Sequence, residues 1–250
     1  MQRYFVEQEN VNKSSQQIVI TGDDVGHITK VMRTSVGDHL ISCDENGACF
    51  LCEVEQLNKE QVLCKIVEPL TDNRELPVNV TIAQGLPKGD KMELVIQKGT
   101  ELGAHSFIPF ISSRTVVQLD AKKEQKRLER WGRIAKEAAE QAHRQRVPSI
   151  HSLLSWKQLL AEGEEYDLAL IAYENEQTST LHAAMQHLQP GKKVLLVVGP
   201  EGGFSDLEVE EAMEAGFSPV MLGRRILRTE TAALYSLSCI SYYFEQLGGR

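Results

Sequence analysis

The chain has no apolar run long enough to cross a membrane, and its opening MQRYFVEQEN lacks the apolar core of a signal peptide. A cytoplasmic protein is expected. Cysteine is scarce: Cys43, Cys49, Cys52, Cys64 and Cys239 make an odd set of five with no secretory signal, which favours reduced thiols. Cys49 and Cys52 have metal-ligand spacing, but they fall in an alternating, strand-like stretch where such neighbours point to opposite faces. No second Cys or His pair stands near them to close a zinc site, so no metal is expected. Hydrolase signatures are missing too. There is no Gly-x-Ser-x-Gly elbow, and His182 and His187 do not share a helix face. Internal repeats and low-complexity segments are also absent.

What is present is an ordinary globular composition over 250 residues, enough for one large or two modest domains. The net charge of -8 at first argues against nucleic acid, yet it is unevenly spread. Residues 1–72 carry a net -6, residues 73–160 a net +6 and residues 161–250 a net -8. A basic island thus sits inside an acidic chain, and local charge matters more to nucleic acid than the total.

The rhythm of the chain changes near residue 72. Before it, Ile18–Ile20, Leu40–Ser42, Ala48–Val54 and Val62–Val67 read as short strands separated by Gly, Asn and Asp turns, with a short helix within Asp23–Thr34. Many short strands with one helix suggest a small barrel. The polar, proline-bracketed segment Glu68–Pro77 is the linker candidate. After it, strands alternate with helices. Strands are expected at Val78–Ala83, Phe107–Phe110, Leu168–Tyr173, Val194–Val198 and Pro219–Leu222. Helices are expected at Asp90–Leu102, stopped by Gly103, and at Lys122–Arg146, stopped before Pro148. This predicts a mostly parallel sheet covered on both faces, with domains at 1–72 and 73–250.

Two strands of that sheet release Gly-bearing loops just before a helix. Val194–Val198 stops at Gly199-Pro200-Glu201-Gly202-Gly203, followed by a helix with Ser205 or Asp206 as N-cap. Pro219–Leu222 stops at Gly223, and a last helix follows the segment through Thr231. In an open α/β sheet, ligands sit at such strand ends. The loops are neither a Walker loop, which ends in Lys-Ser/Thr, nor a Gly-x-Gly-x-x-Gly fingerprint. A sharp turn with no ligand remains the alternative for Gly199–Gly203, and core packing the alternative for Ile226 and Leu227.

GPEGGFS (199–205) and LGRRILRTETAAL (222–234) resemble the signature of the RsmE-type 16S ribosomal RNA uracil-N3 methyltransferases, within the SPOUT superfamily. The resemblance extends to HITKVMRTSVGDHLISCDENG (27–47), QGLPKGDKMELVIQKGTELGAHSFIPF (84–110) and RWGRIAKEAAEQAHRQRVP (130–148), nearly the whole chain. It implies a C-terminal trefoil knot, a PUA-like N-terminal barrel that helps bind RNA, and a homodimer acting on 16S rRNA. It also implies S-adenosylmethionine as cofactor. Carried over, the cofactor residues are Tyr173, Glu174, Gly199, Gly202, Gly203, Leu222, Gly223, Ile226, Leu227, Thr229, Thr231 and Ala232, with the adenosine among Leu222, Gly223, Ile226 and Leu227.

Uracil N3 must lose a proton before or as it accepts a methyl group, so the site needs a base or a cation to stabilise the developing anion. Arg228 is the candidate cation and Glu201 the candidate base, with Glu230 competing; a structural ion pair is the alternative for both. Candidate RNA contacts are Lys88, Lys91 and Lys98 around one helix start, and Arg3, His27 and Arg33 in the small domain. Arg133, Glu137, Gln141 and Arg144 are spaced to share one face of the long helix, where RNA, a partner subunit or plain solvent could meet them. Two further readings stay open: a SPOUT methyltransferase acting on another RNA target, or a non-catalytic RNA-binding factor on the same fold.

Overall fold

The computed structural model describes residues 1–117 and 119–248. The chain forms two units: Met1–Glu75 with Ala139–Val147, and Leu76–Ala138 with the remainder from Pro148.

The first unit is a six-stranded sheet built from β1 (Arg3–Val6), β2 (Val11–Asn12), β3 (Gln17–Thr21), β4 (His39–Asp44), β5 (Cys49–Leu57) and β6 (Gln61–Leu70). The strand order is β1-β4-β5-β6-β3-β2, antiparallel except for the β1–β4 pair, and the sheet curls so that β1 lies against β3. Period-two burial along β6 puts Val62, Cys64 and Ile66 into a core with Tyr4, Ile18, Ile20, Leu40 and Val54. The helix α1 (Asp23–Gly26), continued as a π turn to Val31, closes over it through Val25 and Ile28. Because β6 continues to Leu70, the first part of the expected linker is strand.

The expectation of reduced thiols needs correction here. A tight turn at Gly47 (φ +86°), tied by Asp44 Oδ1 accepting from the amides of Asn46 and Ala48, sets the β4–β5 register with Cys43 opposite Cys49. The two form a disulfide. Cys52 and Cys64 remain thiols, and burial pushes both up to about 12.

Residues 139–147 belong to the first unit for a reason that helical periodicity conceals. The long helix α3 (Ala121–Gln141) ends earlier than Arg146. His143 takes a left-handed conformation (φ +56°), and the Arg144 amide donates back to the Ala139 carbonyl at 2.9 Å. Arg144 is therefore off the helix face that Arg133, Glu137 and Gln141 share. Its side chain is 3% exposed and pairs with Glu75. The buried Arg3 (4% exposed) donates through Nη1 to the Arg144 carbonyl at 2.7 Å.

The second unit is a seven-stranded, wholly parallel sheet: β7 (Asn79–Gly85), β8 (Ser106–Ile111), β9 (Ser149–Ile150), β10 (Leu154–Ser155), β11 (Leu168–Ala172), β12 (Lys193–Val198) and β13 (Ser218–Val220). The order is β10-β8-β7-β12-β11-β13, with β9 on β8. The apolar runs of β7 and β12 are buried on both faces, as a parallel interior requires. On one face α2 (Lys91–Glu101) packs against α7 (Thr229–Ser241). Gly99 lets α2 lie close on the sheet, since a Cβ there would be 2.8 Å from Phe107 of β8. On the other face α4 (Trp156–Glu162) and α6 (Asp206–Glu214) bury Leu159, Val209 and Ala212 against Ala83, Ile108, Ile171 and Val197. A short helix, α5 (Leu181–Met185), follows β11. The strand expected at Pro219–Leu222 is shorter and earlier, and the last helix begins at Thr229.

Candidate active site

Because β12 lies between β7 and β11, the chain crosses the sheet in both directions from its middle. The loops at the carboxyl ends of β11, β12 and β13 open there together. They enclose a cavity of about 490 Å³ lined by Tyr173, Glu174, Gly199, Pro200, Glu201, Gly202, Gly203, Met221, Leu222, Gly223 and the segment Arg224–Thr229, with Lys91 and Ala232 at its edge. This falls in the size range of small-molecule sites. Of the residues assigned to a cofactor by resemblance, all but Thr231 line it; Thr231 is exposed in the first turn of α7.

The loop after β12 is a fitted cradle. Gly85 at the end of β7 lets Pro200 close in, since a Cβ there would lie 2.5 Å from the proline ring. Gly203 has φ +64°, and a Cβ on it would meet Glu174 Oε1 at 2.8 Å. Arg114 Nη1 donates to the Gly202 carbonyl at 2.8 Å. Ser205 then starts α6 with a capping box: its hydroxyl accepts from the Glu208 amide, and the Glu208 carboxylate accepts from the Ser205 amide. Glu208 is 4% exposed and also accepts from the Ser113 amide at 2.7 Å. Burial pushes its carboxyl up, but the hydrogen bonds from Ser113 and Ser205 outweigh burial and hold it below the usual range. Tyr173, just past β11, donates its hydroxyl to Asp206 Oδ1 at 2.7 Å, joining a second strand end to the same helix start.

Glu201 does not stand free as a base. Its Oε1 accepts from Lys91 Nζ at 3.0 Å and from the Lys88 amide at 3.1 Å, and Lys91 Nζ also lies 3.5 Å from Glu230 Oε2. Burial raises the Glu201 carboxyl, but the hydrogen bonds, led by that of Lys91, bring it below its ordinary value. A carboxylate held in its charged form is a poor proton acceptor. The geometry makes Glu201 the tie between the β12 loop and α2, and it engages Lys91, which was expected to be free for phosphate.

The loop after β13 differs. Gly223 (φ +108°) releases it, and Arg224, Arg225 and Arg228 extend into solvent with no salt bridge or hydrogen bond among the described residues. Ile226 is 89% exposed, so its side chain is not part of a closed apolar slot. Arg228 is the N-cap of α7 in extended conformation and makes no side-chain cap. Thr229 is 7% exposed, and its hydroxyl donates to the Gly199 carbonyl at 2.5 Å.

The remaining RNA candidates scatter. Arg3 and Arg144 are buried and engaged within the first unit, which removes them as surface contacts. His27 is half-buried and shares a hydrogen bond between its Nδ1 and the Tyr4 hydroxyl at 3.1 Å. Lys98 pairs with Glu101. Arg33, Lys88 and Arg133 are exposed. Sequence reasoning missed Arg224 and Arg225, which share the exposed arginine-rich segment with Arg228, and Arg114 and Gln84. The RR pair was a visible signal; the other two act through contacts distant in the chain.

Known proteins now fix the family. Residues 74–241 match the model of the RNA methyltransferase domain, and residues 20–67 that of the RNA methyltransferase PUA domain. The chain is 48% identical over 254 aligned residues to ribosomal RNA small subunit methyltransferase E of Bacillus subtilis (strain 168), spanning 100% of this chain and 99% of the relative. Among solved structures, the Neisseria gonorrhoeae ribosomal RNA small subunit methyltransferase E bound to S-adenosyl methionine superposes with a TM-score of 0.83 at 30% identity, covering 98% of both chains. A Legionella pneumophila protein in complex with bound SAM gives 0.84 at 33%, covering 95% of this chain and 96% of that one. The chain belongs to the family of ribosomal RNA small subunit methyltransferases E.

Proposed function

We propose that this chain transfers a methyl group from S-adenosylmethionine to N3 of one uridine of 16S ribosomal RNA, near the decoding centre, as a cytoplasmic homodimer. The observation that carries the reading is the cavity at the carboxyl ends of β11, β12 and β13, in a chain whose full-length relatives include structures with that cofactor bound. Tyr173, Glu174, the Gly199–Gly203 cradle, Leu222, Gly223, Leu227 and Ala232 would hold the cofactor. The glycines suit this, because most of them could not carry a Cβ without moving a neighbour. When bound, the cofactor supplies an electrophilic methyl group on a sulfonium sulfur.

The chain's own part is binding, orientation and charge. Arg228 is an exposed guanidinium at the cavity with no ion-pair partner among the described residues, suited to stabilise negative charge developing on the uracil as N3 loses its proton. Arg33, Lys88 and Arg133 are free to meet phosphates, which position RNA without reading its sequence. The first unit, residues 1–72 by the sequence reading, would contribute RNA contacts. The trefoil knot and the dimer, with α7 as interface element, belong to the same reading.

The test is mass spectrometry of 16S rRNA from cells with and without this chain, mapped to the modified nucleotide. A methyl group at uridine N3 that depends on the chain is expected. Methylation of another base, of a ribose hydroxyl or of transfer RNA would replace the target. Light scattering at micromolar concentration should give twice the chain's mass; a monomeric mass would remove the dimer.

A further inference from the structure

Three elements meet beneath the cavity: the end of β7, the first residue of the loop after β12, and the first residue of α7. One side chain joins all three. Gln84 on β7 is fully buried, and its Nε2 donates to Thr229 Oγ1 at 2.7 Å and to the Gly85 carbonyl at 3.1 Å, with the Gly199 carbonyl at 3.4 Å. Thr229 Oγ1 donates in turn to the Gly199 carbonyl at 2.5 Å. The relay has one direction, because the hydroxyl has a single proton and spends it on Gly199. It therefore must accept from Gln84.

The other end of the same amide is unsatisfied. Gln84 Oε1 is buried with no hydrogen-bond partner among the described residues. Burying an unpaired acceptor opposes folding, and an apolar side chain of similar length would avoid that cost. The donors on Nε2 are what the amide provides, and those that reach Thr229 and Gly199 act on the roots of the two cofactor loops.

We infer that Gln84 is a positioning residue for the cofactor site, acting through Thr229. It sets the spacing between the Gly199 cradle and the start of α7, and so the placement of the backbone groups that face the cavity. Gln84 does not itself line the cavity, and the Thr229 hydroxyl is already committed within the protein. Both residues thus act on bound ligand through the loops they hold. The inference rests on the reading that this cavity takes S-adenosylmethionine.

The experiment uses the full chain, with S-adenosylmethionine itself as the calorimetric probe and thermal melts of the unliganded protein beside it. Gln84→Met keeps length and volume, removes the donors and removes the orphaned acceptor. It should weaken cofactor binding about tenfold or more, the worth of a lost buried hydrogen bond. The unliganded midpoint should stay within about 4 °C of wild type or rise. Thr229→Val should lose affinity similarly, Thr229→Ser should retain it, and the double variant Gln84→Met/Thr229→Val should lose little more than either alone. Wild-type affinity in Gln84→Met overturns the inference. So does an affinity loss that only tracks a falling midpoint, which is what a merely structural residue gives. Should Gln84→Met not fold, the Thr229 Ser/Val comparison decides: equal affinity in the two overturns the relay. A wild-type chain that takes up no S-adenosylmethionine overturns the cofactor reading itself, and is told apart from these outcomes because no variant is involved.

Discussion

The two loops that shape the cavity are built on opposite plans. The Gly199–Gly203 loop is tied at three of its five residues: to Thr229 through Gly199, to Lys91 and Lys88 through Glu201, and to Arg114 through Gly202; the Ser205–Glu208 box then fixes the helix that follows it. The segment Gly223–Arg228 has no comparable side-chain tie among the described residues and holds three exposed arginines and an exposed isoleucine. The difference teaches a division of labour. The first loop is organised before anything binds, so binding costs it little ordering. The second keeps its cations unspent, available to whatever negative charge arrives.

The sharpest way to test this contrast is Arg228→Ala. If the open loop serves the reaction, single-turnover methylation should fall on the order of a hundredfold, while cofactor affinity by calorimetry changes little. Equal losses in both would place Arg228 among the supports of the site. On the tied side, Glu208→Ala strips the buried carboxylate that accepts from the Ser113 and Ser205 amides, and denaturant unfolding should show a loss of about 2 kcal/mol. This link also has a pH signature. Since the Glu208 carboxyl is held below its usual range, its contribution is complete above the unfolded value of about 4.3 and is lost as pH falls through the lower folded value. Glu208→Gln should flatten that acid limb. A smaller loss, about 1 kcal/mol, is expected for Gly203→Ala, which strains a positive φ and crowds Glu174. Last, Ile226→Ser should leave stability within about 0.5 kcal/mol of wild type. A larger drop would mean that the open loop is packed in solution.

The tied loop was also the more legible one in sequence. Its glycines, its proline and the N-cap candidates Ser205 and Asp206 are local signals, each acting within one turn of chain. The strands around it were read within a residue or two for the same reason, because apolar runs bounded by Gly are short-range patterns. What escaped was long-range. Nothing near Arg3 announces that its guanidinium will meet a carbonyl 141 residues away. Good helix formers continue past Gln141, so periodicity alone ran α3 on to Arg146, and Arg144 was placed on a face that had already ended. Cys43 and Cys49 pair only once the hairpin register is known. Glu201 was correctly singled out as a carboxylate on a rigid turn, but Lys91, 110 residues earlier, decides what that carboxylate does.

The position of β12 has a consequence for how the molecule is made. It pairs Lys193 with Asn79 on one side and Val194 with Leu168 on the other. As the chain leaves the ribosome, both flanking strands emerge first and wait for the strand that belongs between them. Parallel pairing over such a separation is slow, since the loop must close before any contact rewards it. During that interval β7 and β11 expose apolar edges, a hazard for aggregation. The cavity lies at the tip of that late strand and is closed by the start of α7, so its lining cannot assemble until both have been made.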